Sequence, residues 1–236
     1  MDLGALATLN AERRERRAAI LATDLDDGRG WVIREGDAVA GALGEAVART
    51  FRSGRSQTVE TQGRTLFLNV HVPPPRLVVI GAVHISQALA PMARIAGFDV
   101  AIIDPRTAFA TRERFGDVQL DAEWPEVVLA RRPLDAFTAL VAVTHDPRID
   151  DFPLQAALAA QCFYVGALGS RKTHAKRVER FLAQGVAAGD MERIRAPIGL
   201  DIAASTPAEI AVAVLAQIVQ ALRSRGSAGQ AGRSVA

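Results

Sequence analysis

The segment from Phe163 to Arg177 contains the residues whose types and spacing most clearly suggest binding chemistry. Its apolar start predicts a strand, followed by a loop with two glycines and a helix whose first turns carry lysines and arginines. Cations near a helix N-terminus oppose the helix dipole, so this placement makes better sense if an anion binds there. A basic, solvated helix face is the alternative. The candidate cofactor-binding residues here are Gly166, Gly169, Ser170, Arg171 and Lys172, and Ser170 is also the expected helix cap.

A second candidate site is the glycine turn at Gly81-Ala82-Val83-His84. A strand, a glycine turn and a helix start are the layout of a nucleotide site, where backbone amides approach a phosphate. In Asp104-Pro105-Arg106 the acid could bind vicinal hydroxyls and the arginine a phosphate, although Asp-Pro is also common in turns. Val83 stands where a second glycine is expected, so a turn that binds no dinucleotide is an equal alternative. The candidate cofactor-binding residues are Gly81, His84, Asp104 and Arg106.

A third group, Thr144-His145-Asp146, follows the predicted strand Ala139–Val143. Open α/β sheets bind ligands at the carboxyl ends of their strands, which favours a cofactor-binding role for all three residues. Ordinary turn and cap chemistry is the alternative. Asp201, in the loop before the last helix, could face the same edge of the sheet or belong to a purely structural loop. We assign no catalytic residue and no metal ligand, and we expect Cys162 to be a buried, inert thiol.

The elements that must position these residues form an α/β pattern. Short, wholly apolar runs separated by helical segments predict a Rossmann-like, doubly wound parallel sheet covered on both faces. The predicted strands are Leu77–Ile80, Val100–Ile103, Ala139–Val143 and Phe163–Ala167. The predicted helices are Ser86–Ala96, Leu154–Ala160, Arg171–Gln184 and Pro207–Leu222, with a mixed segment at Arg112–Val128.

The proline run at residues 73–75 predicts a domain boundary, because consecutive prolines interrupt both helix and sheet pairing. We therefore expect a small α+β domain over residues 1–72, a Rossmann-like cofactor-binding domain over 73–223 and a disordered tail over 224–236. In the small domain the pattern predicts helices at Glu12–Leu21 and Ala38–Arg52 and strands at Gly30–Arg34 and Thr65–Val72.

Composition excludes several classes of protein. The 236 residues have a formal net charge of +2 and 5% aromatic residues, which argues against nucleic-acid binding. The single cysteine excludes an internal disulfide and an iron–sulfur cluster held by this chain alone. The start of the chain does not look like a signal peptide, and the longest apolar stretch is too short to span a bilayer. We expect a cytoplasmic protein with no membrane partner.

Taken together, these motifs resemble the XdhC/CoxI family of xanthine dehydrogenase accessory proteins. The distinctive stretches are Tyr164 to Arg177 and Ala196 to Ile210, and the motifs at Gly81, Asp104 and Thr144 occur in the family's order. The resemblance covers roughly residues 72–222. It implies a chaperone for the molybdenum cofactor (molybdopterin) rather than a catalyst, one that holds the cofactor during sulfuration and delivers it to a xanthine dehydrogenase-type molybdoenzyme.

The resemblance also implies partners and places for the cofactor. A cysteine desulfurase is a second candidate partner, and both a monomer and a homodimer are left open. The phosphate of the pterin would lie at the Ser170–Lys172 helix start, and its ring against Asp104 or Asp201. This sequence departs from the family at Val83, where the turn usually reads Gly-Ala-Gly-His, and in the loop at residues 39–45, which lacks the usual cysteine. Thiolate ligation of molybdenum from that loop is therefore impossible in this chain, and an NAD(P)-binding oxidoreductase remains the alternative function.

Overall fold

The structure is a computed structural model, and it describes residues 3–225. The chain divides into two compact units. The first comprises the residues up to Pro73 together with those from Arg223, and the second comprises Pro74–Leu222. The division at Pro73 lies inside the proline run, where the rings remove backbone donors that would extend a sheet.

The described elements of the first unit are α1 (Leu3–Arg14), β1 (Ala19–Asp24), β2 (Gly30–Arg34), α2 (Gly41–Ser53), β3 (Gln57–Thr61) and β4 (Arg64–His71). Its strands form a four-stranded antiparallel sheet with strand order β2-β1-β4-β3. Apolar side chains from β1, β2 and β4 form its core with those of helix α2, including Ile20, Ile33, Val47 and Leu68. The predicted helix at Glu12–Leu21 is wrong, because the helix ends at Arg14 and a strand begins at Ala19.

The elements of the second unit, which is described throughout, are β5 (Arg76–Ile80), α3 (His84–Ile95), β6 (Asp99–Ile103), α4 (Arg112–Phe115), β7 (Gln119–Asp121), α5 (Pro125–Arg131), β8 (Thr138–Ala142), α6 (Pro147–Ala159), β9 (Tyr164–Ala167), α7 (Arg171–Ala183), α8 (Ala188–Met191), β10 (Ile194–Arg195) and α9 (Pro207–Ser224). Its strands form a six-stranded, fully parallel sheet with strand order β10-β9-β8-β5-β6-β7. This sheet confirms the predicted Rossmann-like fold.

Both faces of the parallel sheet are covered, which explains why its strands are apolar at every position. In β5 the side chains of Leu77 and Val79 pack against α3 and α9 on one face. Those of Val78 and Ile80 pack against α5, α6 and α7 on the other face. Helices α6 and α7 therefore lie side by side on one face, with their N-termini at the carboxyl edge of the sheet.

Helix α6 is longer than the sequence predicted. It begins at Pro147 rather than Leu154, because Pro147 occupies the first helical position, where no amide is needed, and Asp146 is the N-cap. The Asp146 carboxylate accepts a hydrogen bond from the Arg148 amide at 3.0 Å. The extra two turns place acidic residues at the carboxyl edge.

Two expectations concern the ends and the environment of the chain. Helix α9 continues to Ser224, the first residue of the predicted tail, and residues 226–236 of that tail lie outside the described residues. Between residues 3 and 225, no helix combines the length and the apolar character needed to cross a bilayer.

Candidate anion-binding site

The turn after β5 is shaped by Gly81, which has φ +119° and closely approaches the β8 loop. A Cβ at this position would lie 2.8 Å from Thr144 Cγ2 and 3.2 Å from Val143 Cγ2. The Gly81 carbonyl accepts a hydrogen bond from the buried Ser86 hydroxyl at 2.5 Å. Glycine is thus required here by the packing between two strand ends as well as by backbone conformation.

The Asp104 carboxylate at the end of β6 is fully buried and is occupied by its own chain. Its Oδ2 accepts hydrogen bonds from the Ala82 amide at 2.7 Å and from Arg106 Nη2 at 2.8 Å. Its Oδ1 accepts from Arg106 Nε and from the Arg106 amide, both at 2.9 Å. Burial alone would raise the pKa of Asp104, but these hydrogen bonds hold it below its ordinary value. Asp104 and Arg106 therefore close the glycine turn after β5.

The loop after β8 is organised by Asp150, a buried carboxylate in the first turns of α6. Its Oδ1 accepts a hydrogen bond from the Thr144 hydroxyl at 2.7 Å, and its Oδ2 accepts one from the His145 amide at 3.1 Å. These bonds stabilise His145 in a left-handed conformation with φ +65°, which is uncommon for a residue other than glycine. Burial raises the pKa of Asp150 to about 6.

The loop after β9 leads into α7 as the sequence predicts. Gly169 has φ +132°, and the Ser170 hydroxyl caps the helix by accepting a hydrogen bond from the Thr173 amide at 3.2 Å. The cations of α7 recur along one flank of the helix at Lys172, Lys176, Arg177 and Arg180, a spacing that places them on the same face. That flank, rather than the helix terminus, faces α6.

A cleft of about 310 Å³ opens between α6 and α7 beside the carboxyl edge of the sheet. Its volume lies at the lower end of the range of about 300–1,000 Å³ that is usual for ligand pockets. From here on we call it the α6–α7 cleft, and its lining residues are His145, Pro147, Asp150, Asp151, Lys172, Thr173, Lys176, Arg177 and Arg180.

Arg177 is the buried cation of this cleft, with only 3% of its surface exposed. Its Nη2 donates a long hydrogen bond of 3.3 Å to the Leu168 carbonyl. Its buried Nε and Nη1 have no hydrogen-bond partner among the described residues. Burial therefore lowers the pKa of the Arg177 guanidinium, although the carboxylates of Asp150 and Asp151 oppose the shift. Native proteins leave few buried polar groups unpaired, so this one requires an explanation.

The two carboxylates of the cleft are already engaged, and Arg180 is the one cation of its lining that forms an ion pair with them. Both oxygens of Asp150 accept hydrogen bonds from the β8 loop, as described above. Asp151 binds Arg180 through both of its oxygens, at 2.9 Å and 3.0 Å. Lys172, Lys176 and Arg177 form no ion pair with any residue between 3 and 225. With four cations and two carboxylates, the lining carries an excess of two positive charges and is suited to an anion.

The cleft brings together only part of the predicted cofactor-binding set. His145 and Lys172 line it, Thr144 and Asp146 shape its loop, and Gly169 and Ser170 start its helix. The other predicted residues do not line it: Gly81, Asp104 and Arg106 form the closed turn, His84, Arg171 and Asp201 are exposed elsewhere, and Gly166 is buried in β9. A Cβ at Gly166 would lie 2.6 Å from Ile198 Cδ1, so its role is in packing.

The loop that contains Asp201 and the thiol of Cys162 both have structural roles. The loop before α9, which includes Asp201, is held by Gln217, whose side chain bonds the Gly199 amide at 2.9 Å and the Gly199 carbonyl at 3.1 Å. Cys162 is buried, and burial raises the pKa of its thiol to about 12, far from that of a reactive thiolate. Across residues 3–225, no three His, Cys, Asp or Glu side chains cluster so as to hold a metal ion.

The predicted cofactor-binding set leaves out several residues of the cleft. Sequence reasoning missed Asp150, Asp151 and Arg180, whereas Lys176 and Arg177 were recognised as cations of the helix but not as cofactor-binding residues. The spacing of the cations along α7 could have indicated their shared flank, since positions four apart lie on one side of a helix. Burial of Arg177 could not be inferred, because it depends on how α6 packs beside α7.

The fold and the site together define a class of protein: a Rossmann-like domain with an open, cationic cleft at the carboxyl edge of its sheet, beside a closed glycine turn. A family model described as the XdhC Rossmann domain matches residues 77–218, more than half of the chain. The chain therefore belongs to the XdhC family, which confirms the resemblance predicted from its motifs.

Curated relatives agree with this assignment. The chain is 35% identical over 172 residues to the uncharacterized protein YqeB of Escherichia coli (66% of this chain, 29% of the relative). It is 32% identical to a Bacillus subtilis protein described as a probable xanthine dehydrogenase subunit (67% and 46%). It is 31% identical to the molybdenum cofactor insertion chaperone PaoD of Escherichia coli (62% and 40%). The chain thus aligns with less than half the length of each of these relatives.

A solved structure shows the same fold. A crystal structure described as a xanthine dehydrogenase from Bacillus halodurans superimposes with a TM-score of 0.67, covering 97% of this chain and 70% of the other. The sequences are 21% identical, so this similarity establishes the fold alone.

Proposed function

We propose that this protein is a molybdenum-cofactor carrier that holds the cofactor during sulfuration and delivers it to a xanthine dehydrogenase-type apoenzyme. The observation that carries the proposal is the α6–α7 cleft, an open anion-binding cavity at the sheet edge where such folds bind ligands. Membership of the XdhC family and similarity to a molybdenum cofactor insertion chaperone support the choice of ligand.

The residues of the cleft fit the phosphate end of the cofactor. Lys172, Lys176 and Arg177 supply cationic donors that no carboxylate of the described chain occupies. The cofactor, when bound, would supply the molybdenum centre that sulfuration modifies. The chain's own residues bind and orient the anionic end, while a cysteine desulfurase is the class of enzyme that would supply the sulfur.

The geometry favours this carrier function over an NAD(P)-dependent oxidoreductase. In a dinucleotide site, the acid after the second strand binds the ribose hydroxyls. Here the Asp104 carboxylate is fully buried, and both of its oxygens accept hydrogen bonds from Ala82 and Arg106. Val83 adds a side chain where the dinucleotide fingerprint has its second glycine.

The proposal is tested by retention of ligand during ultrafiltration. Purified protein is mixed with free molybdenum cofactor or, separately, with NAD or NADP. We expect retention of the cofactor and no retention of either nicotinamide nucleotide. The double variant Lys172→Gln/Lys176→Gln should lose most of the retention, because it removes two of the unpaired cations. Arg94→Gln is the control for loss of charge outside the cleft; it removes one positive charge, where the double variant removes two, from the exposed C-terminal end of α3.

Two results would contradict the carrier function. The first is failure of the unmodified protein to retain the cofactor at low ionic strength, where binding of an anion is strongest. The second is retention of NAD or NADP with no effect of the double substitution, which would favour the oxidoreductase. Delivery is then measured by adding a cofactor-free xanthine dehydrogenase-type enzyme and following the gain of its activity.

A further inference from the structure

The fold leaves several hydrogen-bond donors of Arg177 unused. A guanidinium has five N–H donors, of which Nε carries one and Nη1 two. Both of these nitrogens are buried without a partner, while Nη2 reaches only the Leu168 carbonyl at 3.3 Å. Three N–H groups of a charged side chain are therefore unsatisfied beside a cavity that the same side chain lines.

Neither the protein nor water accounts fully for this arrangement. The two carboxylates near Arg177 are those of Asp150 and Asp151, and both are bonded to other groups. Water could accept the three hydrogen bonds, but it would not neutralise a buried charge, whose desolvation costs several kcal/mol. An anion bound in the cleft that Arg177 lines would compensate this charge.

We propose that the α6–α7 cleft is a phosphomonoester subsite in which Arg177 is the principal ligand of the phosphate, with Lys172 and Lys176 at its open side. The inference rests on the proposed function in one respect, since it assigns the phosphate end of the cofactor to this cleft. It moves the phosphate from the helix start at Ser170 to the flank of α7, one to two turns further along the helix.

The charge selects this chemical class. A phosphate monoester has a charge of about −1.5 to −2 near pH 7, which matches the excess of two positive charges in the lining of the cleft. A carboxylate offers two oxygens and one charge, and a phosphodiester offers two terminal oxygens and one charge. Thr173 and His145 also line this cavity.

The test measures binding of methyl phosphate to the full chain by calorimetry and by broadening of the ³¹P NMR line, at low ionic strength. Inorganic phosphate is a second probe. Dimethyl phosphate and acetate are the probes with a single charge, and we expect each to bind at least tenfold more weakly than methyl phosphate. Equal binding of dimethyl phosphate and methyl phosphate would overturn the proposal, because the site would then not recognise the monoester.

The decisive variant is Arg177→Gln, which keeps a polar side chain but removes the charge. Loss of a charge-assisted set of hydrogen bonds predicts methyl phosphate binding that is about 10- to 100-fold weaker. Arg177→Lys should recover part of the affinity, because lysine restores the charge without the planar donors. Arg94→Gln should bind as the unmodified protein does. Unchanged affinity in Arg177→Gln would refute the assignment, and thermal unfolding of each variant verifies that it is folded.

The same variants separate this inference from the carrier function. If Arg177→Gln loses methyl phosphate but the unmodified protein never retains molybdenum cofactor, the phosphate subsite stands and the carrier function fails. If Arg177→Gln retains the cofactor as well as the unmodified protein does, the carrier function stands and the phosphate assignment fails.

Discussion

Replacing Arg177 by methionine should stabilise the ligand-free protein while removing its ability to bind an anion. The side chain is 3% exposed and makes one hydrogen bond, at 3.3 Å, to the Leu168 carbonyl. Losing that bond costs about 1–3 kcal/mol, whereas relieving the desolvation of an unpaired guanidinium returns several kcal/mol. Methionine has a similar length and fills irregular space well. We expect a net gain of about 2 kcal/mol in the free energy of unfolding.

The gain should depend on pH because Asp150 lies close to Arg177. Burial raises the pKa of Asp150 to about 6, and the attraction of Arg177 works against that rise. At pH 5 Asp150 is mostly neutral, so the substitution removes a lone cation. At pH 8 the carboxylate is ionised, and the substitution leaves a buried anion without its nearby cation. The stabilisation should therefore be largest at pH 5 and smaller or absent at pH 8.

The measurement is denaturant unfolding followed by tryptophan fluorescence. The chain has two tryptophans, Trp31 in the first unit and Trp124 in the second. A Trp31→Phe background leaves Trp124 as the reporter for the unit that contains Arg177. A gain of about 2 kcal/mol corresponds to a rise in Tm of roughly 4–8 °C for a unit of this size.

Arg180→Met is the matched control on the same helix and in the same cleft. Arg180 binds both oxygens of Asp151, so its removal breaks a formed ion pair and should lower stability by about 1 kcal/mol. At pH 5 we expect Arg177→Met to raise the free energy of unfolding and Arg180→Met to lower it. Equal destabilisation by both would mean that the Arg177 guanidinium is satisfied in solution, and the reasoning about the cleft would be refuted.

Three further predictions concern the elements around the site and the first unit. Gly81→Ala should lower the free energy of unfolding of the second unit by about 2–4 kcal/mol, because a Cβ would lie 2.8 Å from Thr144 Cγ2. Gly97→Ala, which is also at positive φ but has open space around it, should lower it by less. Equal losses in the two variants would contradict the role of packing at Gly81. Asp150 has a raised pKa, so the free energy of unfolding of the second unit should fall by about 2–3 kcal/mol as pH rises from about 4 to 6. Asp150→Asn should not show this fall. The same change of unfolding free energy with pH in the variant and in the unmodified protein would contradict the prediction. Hydrogen bonds from two arginines lower the pKa of Glu12 to about 2, so Glu12 stabilises the first unit above about pH 4.5 and this stabilisation is lost as pH falls toward 2. Glu12→Gln should remove this pH dependence and lower the free energy of unfolding by about 1–2 kcal/mol at pH 7, measured by Trp31 fluorescence. An unchanged acid transition in Glu12→Gln would contradict this prediction.

The sheet could be predicted from sequence because its strands are buried on both faces and so are apolar throughout. Three of the predicted strands differ from the observed strands by one residue at one end, and the fourth, Ala139–Val143, is shifted by one residue at both ends. The first unit was harder to predict. The charged segment after Glu12 resembles an amphipathic helix, but Arg16 adopts φ +52° and the chain turns into a strand at Ala19. A local break of this kind leaves little trace in a periodic pattern.

The candidate site was predicted in part, and the omissions have one physical cause. Prolines at positions 147 and 153 concealed the first two turns of α6, since proline usually interrupts a helix. Those turns carry Asp150 and Asp151, which form the wall of the cleft opposite α7. Without that wall, the cations of α7 predict an anion at the start of the helix rather than on its flank, and nothing in the sequence indicates that Arg177 is buried between two helices.

The distinction between the glycine turn and the cleft depends on which polar groups the chain satisfies by itself. Both lie at the carboxyl edge of the same sheet, where α/β folds bind ligands, and both carry charged side chains. At the turn, Asp104 and Arg106 satisfy each other, and a Cβ at Gly81 would have no room. In the cleft, Arg177 keeps three donors and its charge without a partner. The position of the motif favours the turn as a ligand site. The cleft is favoured more strongly, because an unsatisfied buried charge costs free energy that a ligand can recover.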